Sequence, residues 1–235
     1  MSQARYGLQA YESSNSLGDV LRSPSARRSA EPESYVYPAG LELFRQGSIP
    51  LAVYLVEEGL IKLTRCDDEG REILVDLKFA GAVVGAAASI AGRNHLVNAS
   101  TVTSCKLARW NSVLFEKALH APSFLASVSR MLSVEVLGQI SRISDLTLLP
   151  ARHRLEQFLW RLSDTIRVNR TLPDSEASIK LQLPIKQWEA AEYLSITPTY
   201  LSQLIRVLEK EELISRDRGW IMIPKPESLW HSLDY

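Results

Sequence analysis

Four polar residues near the C-terminal end of the chain carry side chains suited to reading a nucleic acid. They stand at positions i, i+3, i+4 and i+7, so a helix would bring them to one face: Thr199, Ser202, Gln203 and Arg206. A glutamine amide can pair with adenine through two hydrogen bonds, and serine or threonine hydroxyls can bond several base edges. The face has few bulky apolar groups and a positive charge near its end. These properties fit the major groove of DNA.

The surrounding residues predict the helix that positions this face. Thr197 is a good N-cap, and Pro198 suits the first helical position, where its missing N–H costs nothing. A separate, apolar face follows at helical spacing and comprises Leu201, Leu204, Ile205 and Leu208. The sequence therefore predicts a helix over Pro198–Glu211. A shorter helix is predicted over Lys186–Leu194, with Ser195-Ile196-Thr197 as the tight break between them.

A hairpin is expected directly after the second helix, between Leu213 and Ile223. Its turn is predicted at Arg216-Asp217-Arg218-Gly219, and both arginines would lie where a wing touches the phosphate backbone. Two helices joined by about three residues and followed by a hairpin describe a winged helix-turn-helix. Further contacts with the DNA backbone are expected from Lys186, Tyr200 and Arg206. The alternative is a solvated α/β subdomain whose arginines are ordinary surface charges.

The composition bounds the class of protein. The chain has 235 residues, of which 46% are hydrophobic and 23% charged, as in a folded protein of one or two domains. The formal net charge is zero, so contact with DNA would depend on local basic patches. Residues 1–20 lack the pattern of a signal peptide, and no apolar run reaches the ~18 residues of a membrane helix. We therefore expect a cytoplasmic protein without a membrane partner.

The reactive residues show no spacing that indicates catalysis or a cofactor. Cys66 and Cys105 are far apart, so neither a disulfide framework nor a cysteine-ligated cluster is expected. The four histidines, which include His95, lack the spacing of metal ligands. The chain contains no phosphate loop and no Ser/His/Asp order in a suitable context. We expect no enzyme and no cofactor, while an unknown small-molecule effector remains open.

The residue pattern of the first half of the chain changes near Tyr35. Residues 1–34 are rich in Ser, Arg and Ala and predict a mobile arm, with a short helix near Leu17–Leu21. Residues 35–121 alternate short apolar runs with turns, which predicts an all-β barrel or sandwich. Within them, Val97–Leu107 is expected to form a strand pair.

A long helix is predicted over residues 122–149. Its apolar residues recur every three or four positions: Leu125, Val128, Leu132, Val136, Ile140, Ile143 and Leu146. At about 40 Å, this helix suggests a two-stranded coiled-coil seam between subunits. The alternative is a helix that lies across its own domain. Residues 150–235 are expected to form the winged helix, with a first helix over Arg154–Asp164, a loop over Arg170–Glu176 and a strand over Ile179–Leu183.

The order of these parts resembles a known family. The matching elements are Gly40–Gly47, Val53–Gly59, Asp68–Ile73, Gly81–Gly85, Arg154–Leu159 and the helix-turn-helix followed by Leu213-Ile214-Ser215. Across about residues 35–225 the chain resembles the CRP/FNR superfamily of bacterial transcription regulators. The resemblance implies an α+β protein with an N-terminal double-stranded β-helix (jelly-roll-like) effector domain, a long dimerisation helix and a C-terminal winged helix-turn-helix. It also implies a homodimer that binds a palindromic operator in double-stranded DNA and contacts RNA polymerase.

The resemblance carries base contact over to four positions at the start of the second helix: Pro198, Thr199, Ser202 and Gln203. Family members often have a Glu and an Arg where this chain has Thr199 and Gln203, while Ser202 matches the serine common in the FNR branch. The loss of that Glu and Arg argues against the usual half-sites of both branches.

The effector region departs further from the family. Cyclic-nucleotide binders place a Glu after the second glycine of Gly-x-x-Gly and an Arg-Ser pair near the next strand. Here alanines follow Gly85, and Arg93 lies before the matching place, so a buried phosphate would lack its cation. Binding of cyclic AMP in the usual mode is not expected. The candidate pocket residues are Gly85, Ala86, Ala87, Arg93, Asn98 and Ala99, and they predict a small apolar site that holds another effector or is closed as packed core. A haem held through His95 is a remote alternative.

Two functional hypotheses result. The leading one is a homodimeric, sequence-specific transcription regulator with a degenerate effector pocket. The other is a small-molecule-binding module whose winged helix docks a protein partner. A steep salt dependence of DNA affinity would favour the first.

Overall fold

The computed structural model describes residues 32–170 and 178–231. The expected arm helix near Leu17–Leu21 and nearly all of the expected loop at 170–176 lie outside the described residues. The chain divides into two compact units, of which the N-terminal one ends at Ile140 and the C-terminal one begins at Ser141.

The N-terminal unit contains eight strands in its described part, from 32 to 140. They are β1 Glu33–Tyr37, β2 Glu42–Phe44, β3 Ala52–Glu58, β4 Ile61–Cys66, β5 Glu72–Lys78, β6 Val83–Val84, β7 Asn98–Thr101 and β8 Cys105–Asn111. Two four-stranded antiparallel sheets result, ordered β1-β8-β3-β6 and β2-β7-β4-β5. This arrangement confirms the predicted jelly-roll-like domain.

The expected strand pair over Val97–Leu107 is wrong in its pairing. Strands β7 and β8 do occur there, but β7 pairs with β2 and β4 whereas β8 pairs with β1 and β3. The link between them passes from one sheet to the other beside the β3–β4 link, and Val102 N–H donates to the Leu60 carbonyl at 2.8 Å. A Cβ at Gly59 would lie 2.7 Å from both Cys105 Sγ and the Ser104 carbonyl oxygen, so only glycine fits this crossing.

Strand β3 is buried on both faces because the sheet that contains it lies between two apolar layers. On one side Tyr54 and Val56 pack with residues of the second sheet, such as Ile61. On the other side Val53 and Leu55 pack against aromatic and aliphatic residues of the helices, including Phe115, Phe124 and Val128. A strand buried on both faces has a nearly continuous apolar sequence, as residues 52–56 do.

Three helices accompany these strands: α1 Ala86–Ala91, α2 Ser112–Leu119 and α3 Pro122–Leu148. The long helix is confirmed to within one residue of its predicted end. Its predicted apolar stripe needs one correction, because Val128 is 1% exposed and belongs to the core of the N-terminal unit. The exposed apolar residues of the stripe are Leu125, Val136, Ile140 and Ile143.

The C-terminal unit has the predicted helix-turn-helix. Its elements are α4 Ala151–Arg170, β9 Ile179–Leu181, α5 Gln187–Tyr193, α6 Pro198–Lys210, β10 Ser215–Asp217, β11 Trp220–Ile223 and α7 Pro226–His231. The strands form one antiparallel sheet in the order β10-β11-β9. Helix α4 is longer at both ends than the predicted Arg154–Asp164, and the apolar face of α6 packs inward.

Candidate nucleic-acid interface and effector pocket

Helix α6 presents a polar face because its N-terminus is capped and its apolar side is buried. The Thr197 hydroxyl accepts a hydrogen bond from Tyr200 N–H at 3.2 Å, and Pro198 stands at the first helical position. The apolar residues of the helix are buried, namely Leu201, Leu204, Ile205 and Leu208. The predicted base-contacting residues Pro198, Thr199 and Gln203 are exposed.

The turn before α6 contains a backbone conformation that is uncommon for its residue type. Ser195 has φ of 53°, in the left-handed region that favours glycine. Its N–H donates to the Glu192 carbonyl at 2.9 Å, and Ile196 N–H donates to the Ala191 carbonyl at 3.0 Å. These bonds close α5 and set the direction in which α6 begins.

Ser202, the fourth predicted base contact, is half-buried and bonded within the protein. Gln187 Nε2 donates to Ser202 Oγ at 2.7 Å, and Ser202 Oγ donates to the Pro198 carbonyl at 3.0 Å. Sequence reasoning did not identify Gln187. The available signal was its place at the first position of α5, which the helix-turn-helix geometry brings beside the start of α6.

The wing turn is shorter than predicted. Asp217 pairs with Trp220, so only Arg218 and Gly219 form the turn, with φ of 47° and 85°. Positive φ at both central residues is typical of a type I′ hairpin. The prediction that Arg216 and Asp217 lie in the turn is therefore wrong, since both belong to β10. Arg218 alone of the two predicted wing arginines stands at the exposed tip.

Arg216 is bonded to helix α6. Its Nε and Nη2 donate to the two carboxylate oxygens of Glu209 at 2.7 and 2.6 Å. The hydrogen bond from Arg216 also lowers the pKa of the Glu209 carboxyl. The pair fixes the base of the wing against α6, and the carboxylate offsets the charge that was expected to face phosphate.

The other predicted backbone contacts lie on the outside of the helix pair. Lys186 is the N-cap of α5 and is exposed, with its ammonium 5.8 Å from the ring centroid of Trp188. Tyr200 is 44% exposed, and Arg206 is exposed on α6. These three side chains and Arg218 supply the accessible cationic and hydroxyl groups of the predicted interface.

Arg152 connects α4 to the end of α6. Arg152 donates to Glu156 at 2.8 Å and to both carboxylate oxygens of Glu211 at 2.9 and 2.5 Å. The Glu156 side chain has no solvent exposure, whereas that of Arg152 is 33% exposed. The hydrogen bond to Glu211, followed by that to Glu156, raises the pKa of the Arg152 guanidinium. Arg152 thus holds the C-terminal end of α6.

The predicted effector region contains a cavity of about 430 Å³. Three of the predicted pocket residues line it: Gly85, Ala87 and Arg93. Three other predicted residues do not line the cavity: Ala86 and Ala99 are buried in the core clusters, and Asn98 accepts a hydrogen bond from Gln46 N–H. Helix α1 explains the first case, because successive helical residues point about 100° apart. Ala86 faces the core while Ala87 faces the cavity.

A charged cluster that sequence reasoning missed lies against this cavity. Lys78 Nζ is 2.8 Å from Asp76 Oδ2 and also contacts the Glu135 carboxylate. Gln139 Nε2 donates to Asp76 at 2.7 Å and to Glu135 at 3.2 Å. Burial lowers the pKa of Lys78, but attraction by Asp76 and Glu135 outweighs it, so the pKa is raised. Glu135 and Gln139, which are one turn apart on α3, are thereby joined to Asp76 and Lys78, which lie on the same face of β5.

His95 packs in the wall of this cavity. It is 3% exposed, and its ring stacks on Phe44 with centroids 3.7 Å apart. Burial lowers the pKa of its imidazole. In residues 32–170 and 178–231, no group of three or more His, Cys, Asp or Glu side chains could hold a metal ion.

Comparison with known proteins matches both units to families. Residues 35–121 match the model of the cyclic nucleotide-binding domain, and residues 153–231 match that of the Crp-like helix-turn-helix domain. The chain belongs to the CRP/FNR family of transcription regulators. It is thus a regulator with a helix-turn-helix DNA-binding domain rather than an enzyme, as the sequence predicted.

Individual family members are distant in sequence but similar over most of their length. The nitrogen fixation regulation protein FixK of Rhizobium meliloti is 27% identical over 197 residues, which are 82% of this chain and 83% of that protein. The cAMP-activated global transcriptional regulator CRP of Haemophilus influenzae is 24% identical over 180 residues, or 76% and 78% of the two chains. A CRP/FNR family regulator from Thermus thermophilus shares the fold, with a TM-score of 0.69, 21% identity and coverage of 86% and 99%.

Within residues 32–170 and 178–231, no helix combines the length and the apolar character needed to cross a membrane.

Proposed function

We propose that this CRP/FNR family member acts as a homodimer that binds a palindromic operator, with helix α6 reading the bases. The observation that carries the proposal is the exposed polar face of α6 on a helix whose opposite face is buried and whose N-terminus is capped. Pro198, Thr199 and Gln203 can reach base edges directly. Ser202 can do so by exchanging its bond to Gln187 for one to a base.

Contacts with the DNA backbone are assigned to Lys186, Tyr200, Arg206 and Arg218. All four are exposed. Arg216 takes a different role from the one the sequence suggested, because it holds the wing to Glu209. Such contacts fix the register of a protein on DNA without reading its sequence.

The homodimer is inferred from the exposed apolar face of α3. Leu125, Val136, Ile140 and Ile143 are each between 48% and 66% exposed. At 3.6 residues per turn, these side chains lie within one stripe of the helix, as a seam with a second copy requires. A two-fold dimer would present two α6 helices to the two half-sites of a palindrome.

The effector pocket is degenerate toward cyclic nucleotides. Neither Ala86 nor Ala87, which follow Gly85, supplies a ribose-binding carboxylate, and the buried cation nearby, Lys78, is already paired with Asp76 and Glu135. We infer regulation through contact with RNA polymerase at a promoter, in the cytoplasm where chromosomal operators lie.

The alternative, a winged helix that docks a protein, makes a different prediction for salt. A DNA complex that neutralises several phosphates loses affinity steeply as the salt concentration rises. Binding measured across salt concentrations on random duplexes distinguishes the two proposals. Light scattering tests the dimer on the same preparation, and a monomer at micromolar concentration would contradict it.

A further inference from the structure

The cavity beside α1 has a chemistry that differs from that of a phosphate site. Its walls are mostly apolar and include small residues of α1 and aliphatic residues of the strands: Leu63, Val75, Val83, Ala87, Ala88 and Ala91. A volume of about 430 Å³ lies within the range of small-molecule sites. Such walls favour a ligand that is mainly apolar.

The charged cluster beside the cavity has two carboxylates and one ammonium group. Lys78 is buried, and its ammonium lies between the carboxylates of Asp76 and Glu135. An anionic ligand would have to approach two carboxylates while losing its own hydration, which is strongly unfavourable. Arg93 also lines the cavity, but it is exposed at the rim, where water screens its charge.

One acceptor on the long helix is suited to a ligand. The bonds from Lys78 and Gln139 both end on Oε1 of Glu135, and among the described residues Oε2 has no bonded donor. The Glu135 side chain is 37% exposed and lines the cavity together with Leu132 and Gln139. A ligand that reaches this carboxylate would therefore touch α3 directly.

We propose that the cavity binds an uncharged, mainly apolar small molecule whose hydroxyl or N–H group donates to Glu135. The apolar body lies against Ala87, Ala88 and Val83, and the donor end contacts α3. Treating this molecule as an effector rests on the proposed regulatory function, but its binding to the cavity does not.

The test uses the full chain and the neutral fluorophore N-phenyl-1-naphthylamine, which has an aromatic body and one N–H donor. We expect saturable binding at one site per chain, without competition by millimolar cyclic AMP. The N-methyl derivative lacks the donor and should bind about tenfold more weakly, which corresponds to the loss of one hydrogen bond of ~1.4 kcal/mol.

Two variants on the same short helix locate the site. Ala88→Phe fills the cavity and should reduce affinity for the fluorophore at least tenfold, whereas Ile90→Phe is a matched control because Ile90 is exposed and does not line the cavity. Circular dichroism establishes that both variants fold. If Ala88→Phe does not fold, Ala91→Leu, which also fills the cavity, replaces it.

The proposal is overturned by absent saturable binding, by equal affinity in the cavity-filling variant and the wild type, by equal affinity for the N-methyl derivative, or by displacement with cyclic AMP. DNA binding is measured on the same preparation without the fluorophore. A chain that binds DNA but not the fluorophore contradicts only this inference. A chain that binds the fluorophore but not DNA contradicts the proposed function instead.

Discussion

A substitution of Gln203 tests base reading at a single side chain. It is exposed on α6 and has an amide suited to adenine. Gln203→Ala should weaken binding to the preferred operator by about 1–3 kcal/mol and leave binding to random DNA unchanged. Fluorescence anisotropy with both duplexes measures the difference, and thermal unfolding should be unaffected. Equal losses on both duplexes would contradict a base contact.

A substitution of Arg218 can distinguish a contact between its charge and DNA from a role in folding the hairpin. Its φ of 47° at the wing turn suits asparagine, which is favoured before glycine in type I′ turns. Arg218→Asn should therefore preserve the hairpin while weakening specific and non-specific DNA binding alike. The slope of log affinity against log salt should fall by about 0.9 per chain, the value for one lost phosphate contact. An unchanged slope would place the arginine away from the backbone.

Ser195 holds a strained conformation in the turn before α6. Because glycine adopts a φ of 53° without the clash of a Cβ, Ser195→Gly should stabilise the folded protein or leave its stability unchanged, within about 1 kcal/mol. Differential scanning calorimetry measures the effect. Ser133→Gly, at an exposed position of α3, is the control and should destabilise the protein by up to about 1 kcal/mol, because glycine is unfavourable inside a helix. A clear loss of stability in Ser195→Gly would show that the serine side chain compensates for the strain.

At the scale of elements, Arg152 connects α4 with α6. Removing it leaves the fully buried carboxylate of Glu156 without this ion pair. Arg152→Ala should destabilise the protein by roughly 2–3 kcal/mol, measured by urea unfolding. The double variant with Glu156→Gln removes the buried charge as well and should recover part of that loss. No recovery would mean that Arg152 acts through Glu211 alone.

Local patterns predicted the helices well, whereas contacts between distant residues were missed. The apolar spacing in α6 and its cap are properties of neighbouring residues, so both the helix and its exposed polar face could be predicted. The separation of β7 and β8 into two sheets depends on the crossing at Gly59. Likewise, the pairs Arg216–Glu209 and Lys78–Glu135 join residues from different elements, and no local periodicity indicates them.

The α3 face provides the test of assembly at the scale of the whole molecule. Ile140 is 55% exposed in the single chain, so a charge there does not disturb the core. Ile140→Glu should convert the dimer to a monomer and thereby lower operator affinity, because one half-site contact is lost. Analytical ultracentrifugation measures the mass.

The matched control for this variant is Arg130→Glu. Arg130 is exposed on α3 but lies about 120° around the helix from Val136. The Arg130→Glu variant should leave the dimer intact. Dissociation by both variants would indicate a general effect of charge, and dissociation by neither would place the dimer interface elsewhere.

The central claim is that exposed side chains of α6 read a DNA sequence as part of a dimer. Selection of bound duplexes from a random pool by the purified chain tests it most directly, with Gln203→Ala selected in parallel. We expect enrichment of one palindromic sequence by the wild type and relaxed preference at one symmetric pair of positions in the variant. A wild-type pool without any enriched sequence would contradict it.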